Sequence, residues 1–251
     1  MNNLNLVKYI LRFADTSMIL GQRLGEWCGH GPVLEEDIAL TNIALDHIGQ
    51  ATALYQYAAR LEGKGRTEDD MAFLRGAGEF SNLLIVELPN GDYAMTIARQ
   101  FFFSTWYLMV LERMKNSSNE FIQGFAGKSY KEVSYHLQHS RDWVIRMGDG
   151  TKESHDRIVG AVNHLWEFTG EFFEMDDLDS EMFRENVGPD FVSIKTDWLD
   201  QVRSVFMEAT IPFPEGQWFQ TGSKSGIHTE YLVSLLAEMQ VLPRTYPGAK
   251  W

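Results

Sequence analysis

Residues 21–50 read GQRLGEWCGHGPVLEEDIALTNIALDHIGQ, and this stretch decides the fold. Gly29, His30, Gly31 and Pro32 form a tight reversal between two helical patterns. Glycines relieve backbone strain in such a turn, and a proline near a helix start costs nothing because its missing N–H would be unpaired anyway. Glu35, Glu36 and Asp37 follow at once. Negative charge in a first helical turn complements the helix dipole. The stretch predicts an antiparallel helical hairpin, and the functional question becomes what its inner faces carry.

Working outward, residues 4–28 are apolar at helical spacing, with Leu6, Ile10, Phe13, Ser17, Leu20, Leu24 and Trp27 on one seam. Residues 34–62 continue with Leu34, Ile38, Thr41, Leu45, Ile48, Thr52 and Tyr55. The rhythm breaks over 63–91, where a polar glycine-containing loop and a short or irregular segment lead to Pro89 and the turn signal Asn90-Gly91. Asp92 is placed to cap a third long helix over 93–115. A cap-rich turn, Asn116 to Asn119, separates it from a fourth over 119–147, with a seam of Ala126, Tyr130, Val133, Leu137, Ser140, Val144 and Met147. Two hairpins joined by one long crossover is the plan of a ferritin-like four-helix bundle, so the expected class is all-α. Additional helices are expected over 153–251, at 153–175, 177–186, 190–209 and 228–241, the last ending before Pro243. With no linker and no repeat, residues 1–251 are expected to form a single domain.

Composition narrows the function. The 251 residues carry a net charge of −13, which repels phosphate backbones and anionic membranes, so neither nucleic acid nor membrane is an expected partner. The single cysteine, Cys28, excludes an internal disulfide and a CxxC metal knuckle. The longest apolar run, Phe101 to Leu111, is too short for a bilayer, which needs roughly 20 residues. Lys8, Arg12 and Asp15 interrupt any signal-peptide core. A soluble cytoplasmic protein is the expectation.

A ferritin-like bundle holds two irons when two helices each give a carboxylate and the other two each give a Glu-x-x-His pair. No Glu-x-x-His occurs in this chain, and Tyr93 to Leu111 contains no acid. The second helix offers Asp46-His47-Ile48-Gly49, with glycine where histidine is wanted; the fourth offers Glu132-Val133-Ser134-Tyr135, with His136 one residue late. The remaining candidates are a core polar cluster of Glu26, Asp46, Glu132 and His136. Glu132, His136 and His139 share a helix face, as a remnant metal or proton-handling site or as a polar flank beside the seam. Glu26 is either an inward carboxylate or a surface residue near the hairpin tip, and Asp46 suits a buried hydrogen-bonded role. The loop Thr221 to Gly226 could cradle an anion ahead of a helix, but it lacks the full Walker spacing, and a plain flexible loop is the preferred reading.

Four stretches carry a resemblance: 22–51, FSNLLIVELPNGDYAMTIARQFF (80–102), KEVSYHLQHSRDWVIRMGDGT (131–151) and TGSKSGIHTEYLVSLLAEMQVLPRTYPGAKW (221–251). Together they resemble the C subunits of bacterial phenylacetyl-CoA 1,2-epoxidases, multicomponent ring oxygenases. The resemblance covers nearly the whole chain in order. It implies a ferritin-like fold, a cytoplasmic multisubunit complex and a role in aerobic phenylacetate degradation. It implies further that a homologous catalytic A subunit holds the di-iron centre and the CoA substrate, while the C subunit is a structural partner with no cofactor of its own. The expectation is therefore a non-catalytic scaffold, self-associating when isolated. The competing expectations are a di-iron oxygenase subunit using Glu26, Asp46, Glu132 and His136, and a free-standing binding protein.

Overall fold

The computed structural model describes residues 3–249. Among these the secondary structure is entirely helical, with α1 (Asn3–Gly25), α2 (Leu34–Glu62), α3 (Glu68–Phe73), α4 (Tyr93–Met114), α5 (Glu120–Gly148), α6 (Lys152–Trp166), α7 (Asp177–Arg184), α8 (Phe191–Glu208) and α9 (Glu230–Thr245). The all-α class expected from the sequence holds, and two hairpins of long helices, α1–α2 and α4–α5, are consistent with a ferritin-like fold. Among the described residues no helix is long and apolar enough to cross a membrane.

The chain divides into two compact units. The first runs to Pro89 and resumes at Thr221, and the second is Asn90–Gln220. In the first unit α1 and α2 pack along their lengths. The reversal between them depends on glycine twice. Gly29 takes φ +80°, a left-handed conformation, and a Cβ on Gly31 would lie 2.6 Å from the Asp37 Cα. The close approach lets the Gly31 N–H donate to Asp37 Oδ2 at 2.9 Å, so one first-turn acid fastens the turn as well as facing the helix dipole.

Two expectations are corrected here. The α2 seam faces inward only in part, with Tyr55 buried as read and its first leucine and isoleucine positions turned outward. Leu34, Ile38 and Leu45 are 71%, 51% and 63% exposed, while Leu40, Ile43, Ala44, His47, Ala51, Leu54 and Ala58 are buried. The helix is apolar on two faces, and the face rich in small residues lies against α1, because alanines allow close helix approach. The last helix does not end before Pro243 but runs to Thr245 with the proline inside it. Proline costs a helix its N–H and a clash one turn back, yet the last turn is anchored from outside: Arg244 Nε and Nη2 donate to the carbonyls of Phe73 and Arg75 at 3.1 and 2.9 Å.

The second unit packs α4 against α5, α6 and α8. Its helix starts are capped as their sequences suggest, with Asp92 accepting from the Met95 N–H and Asn119 from the Ile122 N–H. Its core is aromatic. Phe102 of α4 lies 5.7 Å from the ring of Trp198 and 6.0 Å from that of Trp166, and Trp106 stacks on Phe172 at 5.1 Å. The indole N–H groups are satisfied by backbone, Trp198 by the Phe102 carbonyl at 3.2 Å and Trp106 by the Phe172 carbonyl at 2.8 Å.

Candidate functional site

The four residues singled out in the sequence occupy different environments. Glu26 lies exposed just past the end of α1, and its carboxylate accepts from Arg23 Nη1 at 2.7 Å. Asp46 is half-buried on α2 beside exposed Leu45. On α5, Glu132 has a 21% exposed side chain with Lys128 Nζ at 3.6 Å, and His136, one turn on, is fully buried. Glu26 and Asp46 belong to the first unit, and Glu132 and His136 to the second.

The donor chemistry does not fit a di-iron centre. The helix α4, from which the ligand rule requires an inward carboxylate, is buried around nearly its whole circumference and buries Thr96, Arg99, Gln100, Ser104 and Thr105 but no acid. Arg99 Nη2 donates to Asn90 Oδ1 at 2.5 Å and Gln100 Nε2 to Ser104 Oγ at 2.8 Å. A buried guanidinium and neutral amides repel or ignore a dication. Among the described residues no group of three or more His, Cys, Asp or Glu side chains is placed to hold a metal.

The concentrated buried charge lies elsewhere, in two networks of the first unit. Asp15 sits fully buried on α1. Both its oxygens accept from the guanidinium of Arg75, which follows α3; Tyr55 of α2 donates to Oδ1 at 2.7 Å and the Ser81 N–H to Oδ2 at 3.0 Å. Arg75 also donates to the carbonyls of Met71 at 2.5 Å and Glu79 at 2.9 Å, with its guanidinium carbon 4.2 Å from the centre of the Phe80 ring. Burial opposes the Arg75 charge, but the Asp15 carboxylate more than offsets it and holds the pKa above its ordinary value. Burial, and then the negative charge of Asp15, push the Tyr55 phenol well up, so it stays a neutral donor.

The second network surrounds Glu87, also fully buried. Its carboxylate accepts from Asn82 Nδ2 at 2.9 Å, from the Thr229 N–H at 2.8 Å and from Thr229 Oγ at 2.7 Å, and meets His228 Nδ1 at 2.5 Å. Its backbone carbonyl receives Arg23 Nε and Nη2 at 3.0 and 2.7 Å. Glu26 is thus the exposed end of a chain running through Arg23 to the backbone of Glu87. The N-terminus of α9 faces a carboxylate of the chain itself, that of Glu87.

Sequence reasoning missed Asp15, Arg75, Glu87 and His228. A signal existed, since Asp15 interrupts an apolar helix and Glu87 an apolar run, LLIVELP. Their partners lie 60 and 141 residues away, beyond any local pattern. Both networks bind the segments after α3 and around α9 to the α1–α2 hairpin. They hold no activated nucleophile and serve to fix the conformation of this unit.

Comparison with known proteins agrees with this architecture. Residues 1–251 match the family model described as phenylacetic acid catabolic protein. Over 246 residues, 98% of this chain and 99% of the relative, the sequence is 45% identical to the C subunit of 1,2-phenylacetyl-CoA epoxidase from Escherichia coli (strain K12). With its whole length matched and a relative this similar end to end, the chain belongs to the phenylacetic acid catabolic protein family.

Proposed function

We propose that this chain is the non-catalytic structural subunit of a cytoplasmic multicomponent 1,2-phenylacetyl-CoA epoxidase in aerobic phenylacetate catabolism, and that it supports a di-iron catalytic A subunit. The observation that carries the proposal is the 45% identity, nearly end to end, with a protein named as the C subunit of that epoxidase. The donor chemistry supports the non-catalytic half, because α4 buries arginine, glutamine and hydroxyl side chains and no carboxylate. The surface supports the partnership. Leu34, Ile38 and Leu45 fall within about 40° of one another around α2, at 100° per residue, and all three are exposed. An exposed apolar row of this kind marks an association surface.

In this role the chain performs no bond-making step. Its two buried ionic networks and the aromatic core keep the helices in one arrangement, and a partner subunit docks on that fixed surface. Isolated, the same surface favours self-association. Co-expression with the catalytic subunit tests the proposal. The expected result is one stable complex burying more than about 2,000 Å² in total, as permanent interfaces do. Separate elution of the two chains at micromolar concentration refutes the partnership, and two irons bound per copy of this chain refutes the non-catalytic role.

A further inference from the structure

His228 stands between two oxygens. Nδ1 lies 2.5 Å from Glu87 Oε1, and Nε2 lies 2.9 Å from the Phe80 carbonyl. A neutral imidazole has one N–H and one lone pair, so one of these contacts would set a lone pair against an acceptor unless Glu87 carried the proton. The surroundings of Glu87 decide that question. Its carboxylate receives Asn82 Nδ2 on Oε1 and the Thr229 N–H and hydroxyl on Oε2, so both oxygens are already engaged as acceptors. It sits at the N-terminus of α9. The cation Arg23 binds its backbone carbonyl from the α1 side, with Glu26 behind it. With both Glu87 oxygens accepting, Nδ1 donates to Glu87 and Nε2 donates to the Phe80 carbonyl.

We infer that His228 is an imidazolium at neutral pH, and that this proton clasps the segment entering α9 onto the turn at 80–87. The side chains of Glu87 and His228 are 0% and 5% exposed, so water cannot replace the lost bonds cheaply. The clasp is directional in pH. It is fully closed where the imidazolium persists, and it opens as pH rises through the point at which His228 loses its second proton. An open clasp frees residues 221–236 first, because the Glu87 contacts to His228 and Thr229 are the anchors of the α9 start.

Nitrogen NMR of the full chain carrying labelled histidine tests the protonation state. At about pH 7.5, roughly one unit above the ordinary histidine midpoint, His228 is expected to show two protonated ring nitrogens. One unprotonated nitrogen on His228 at that pH overturns the inference. Hydrogen exchange then tests the clasp. His228→Gln is expected to lower protection of amides 221–236 by about tenfold or more at the same pH, with the difference closing as the wild type is taken alkaline. Equal protection in the two proteins overturns the clasp. Should the variant fail to fold, the NMR result on the wild type decides alone.

Discussion

Replacing Arg75 by methionine tests whether buried charge holds the first unit together. Methionine keeps much of the length and apolar contact of the stem against Phe80. It deletes the two bonds to Asp15 and those to the carbonyls of Met71 and Glu79. Asp15, 0% exposed, keeps the Tyr55 hydroxyl and the Ser81 N–H as donors but loses its counter-charge. Breaking a buried pair from one side costs about 3–5 kcal/mol, because the surviving charge stays desolvated. At about 2–4 °C per kcal/mol for a chain of this size, Arg75→Met should melt about 6–20 °C below the wild type. Asp15→Asn in the same background removes the orphaned charge and keeps the shape. The double variant should therefore be more stable than the sum of the singles predicts, by about 1–3 kcal/mol. Denaturant unfolding followed by circular dichroism measures all four proteins, and a constant slope shows that the unfolded state is unchanged. A loss below about 1 kcal/mol for Arg75→Met, or strict additivity in the cycle, would refute the reasoning.

Ile38→Asp with Leu45→Asp should leave the melting temperature of the isolated chain nearly unchanged, since both side chains are exposed, yet weaken association with the catalytic subunit about 100-fold or more by titration calorimetry. The raised Tyr55 pKa has a definite sign. Its stabilising effect is complete below the unfolded phenol's pKa of about 10 and is lost as pH rises above it, so Tyr55→Phe should flatten the alkaline limb of a stability-versus-pH curve. Glu132→Gln removes a partly exposed carboxylate whose cationic neighbour is Lys128 at 3.6 Å, so epoxidase turnover of the reconstituted complex should fall by less than about tenfold; a loss of several hundredfold with unchanged melting would give this chain a chemical role. Expression in iron-rich medium followed by elemental analysis should find well under one iron per chain.

The helices were legible because their causes are local. Asp92 and Asn119 cap the starts they precede, Gly148 ends α5, and the α1 and α5 seams bury as their spacing requires. What failed had a non-local cause. A helix apolar on two faces does not say which face another helix will cover, and on α2 the alanine-rich face was covered while Leu34, Ile38 and Leu45 stayed out. Pro243 reads as a stop because its local cost is real, but the Arg244 bonds to residues 73 and 75 come from more than 160 positions away. The same division runs through the candidate site. That Tyr93 to Leu111 contains no acid is visible as letters. That Arg99 and Gln100 are buried on α4, and that the first unit's charges collect on Asp15 and Glu87, are products of tertiary pairing. The four residues picked out in the sequence, Glu26, Asp46, Glu132 and His136, lie in different environments and in both units. The buried acids Asp15 and Glu87 pair with arginine, histidine, hydroxyl and backbone N–H groups, partners that hold the first unit in one conformation.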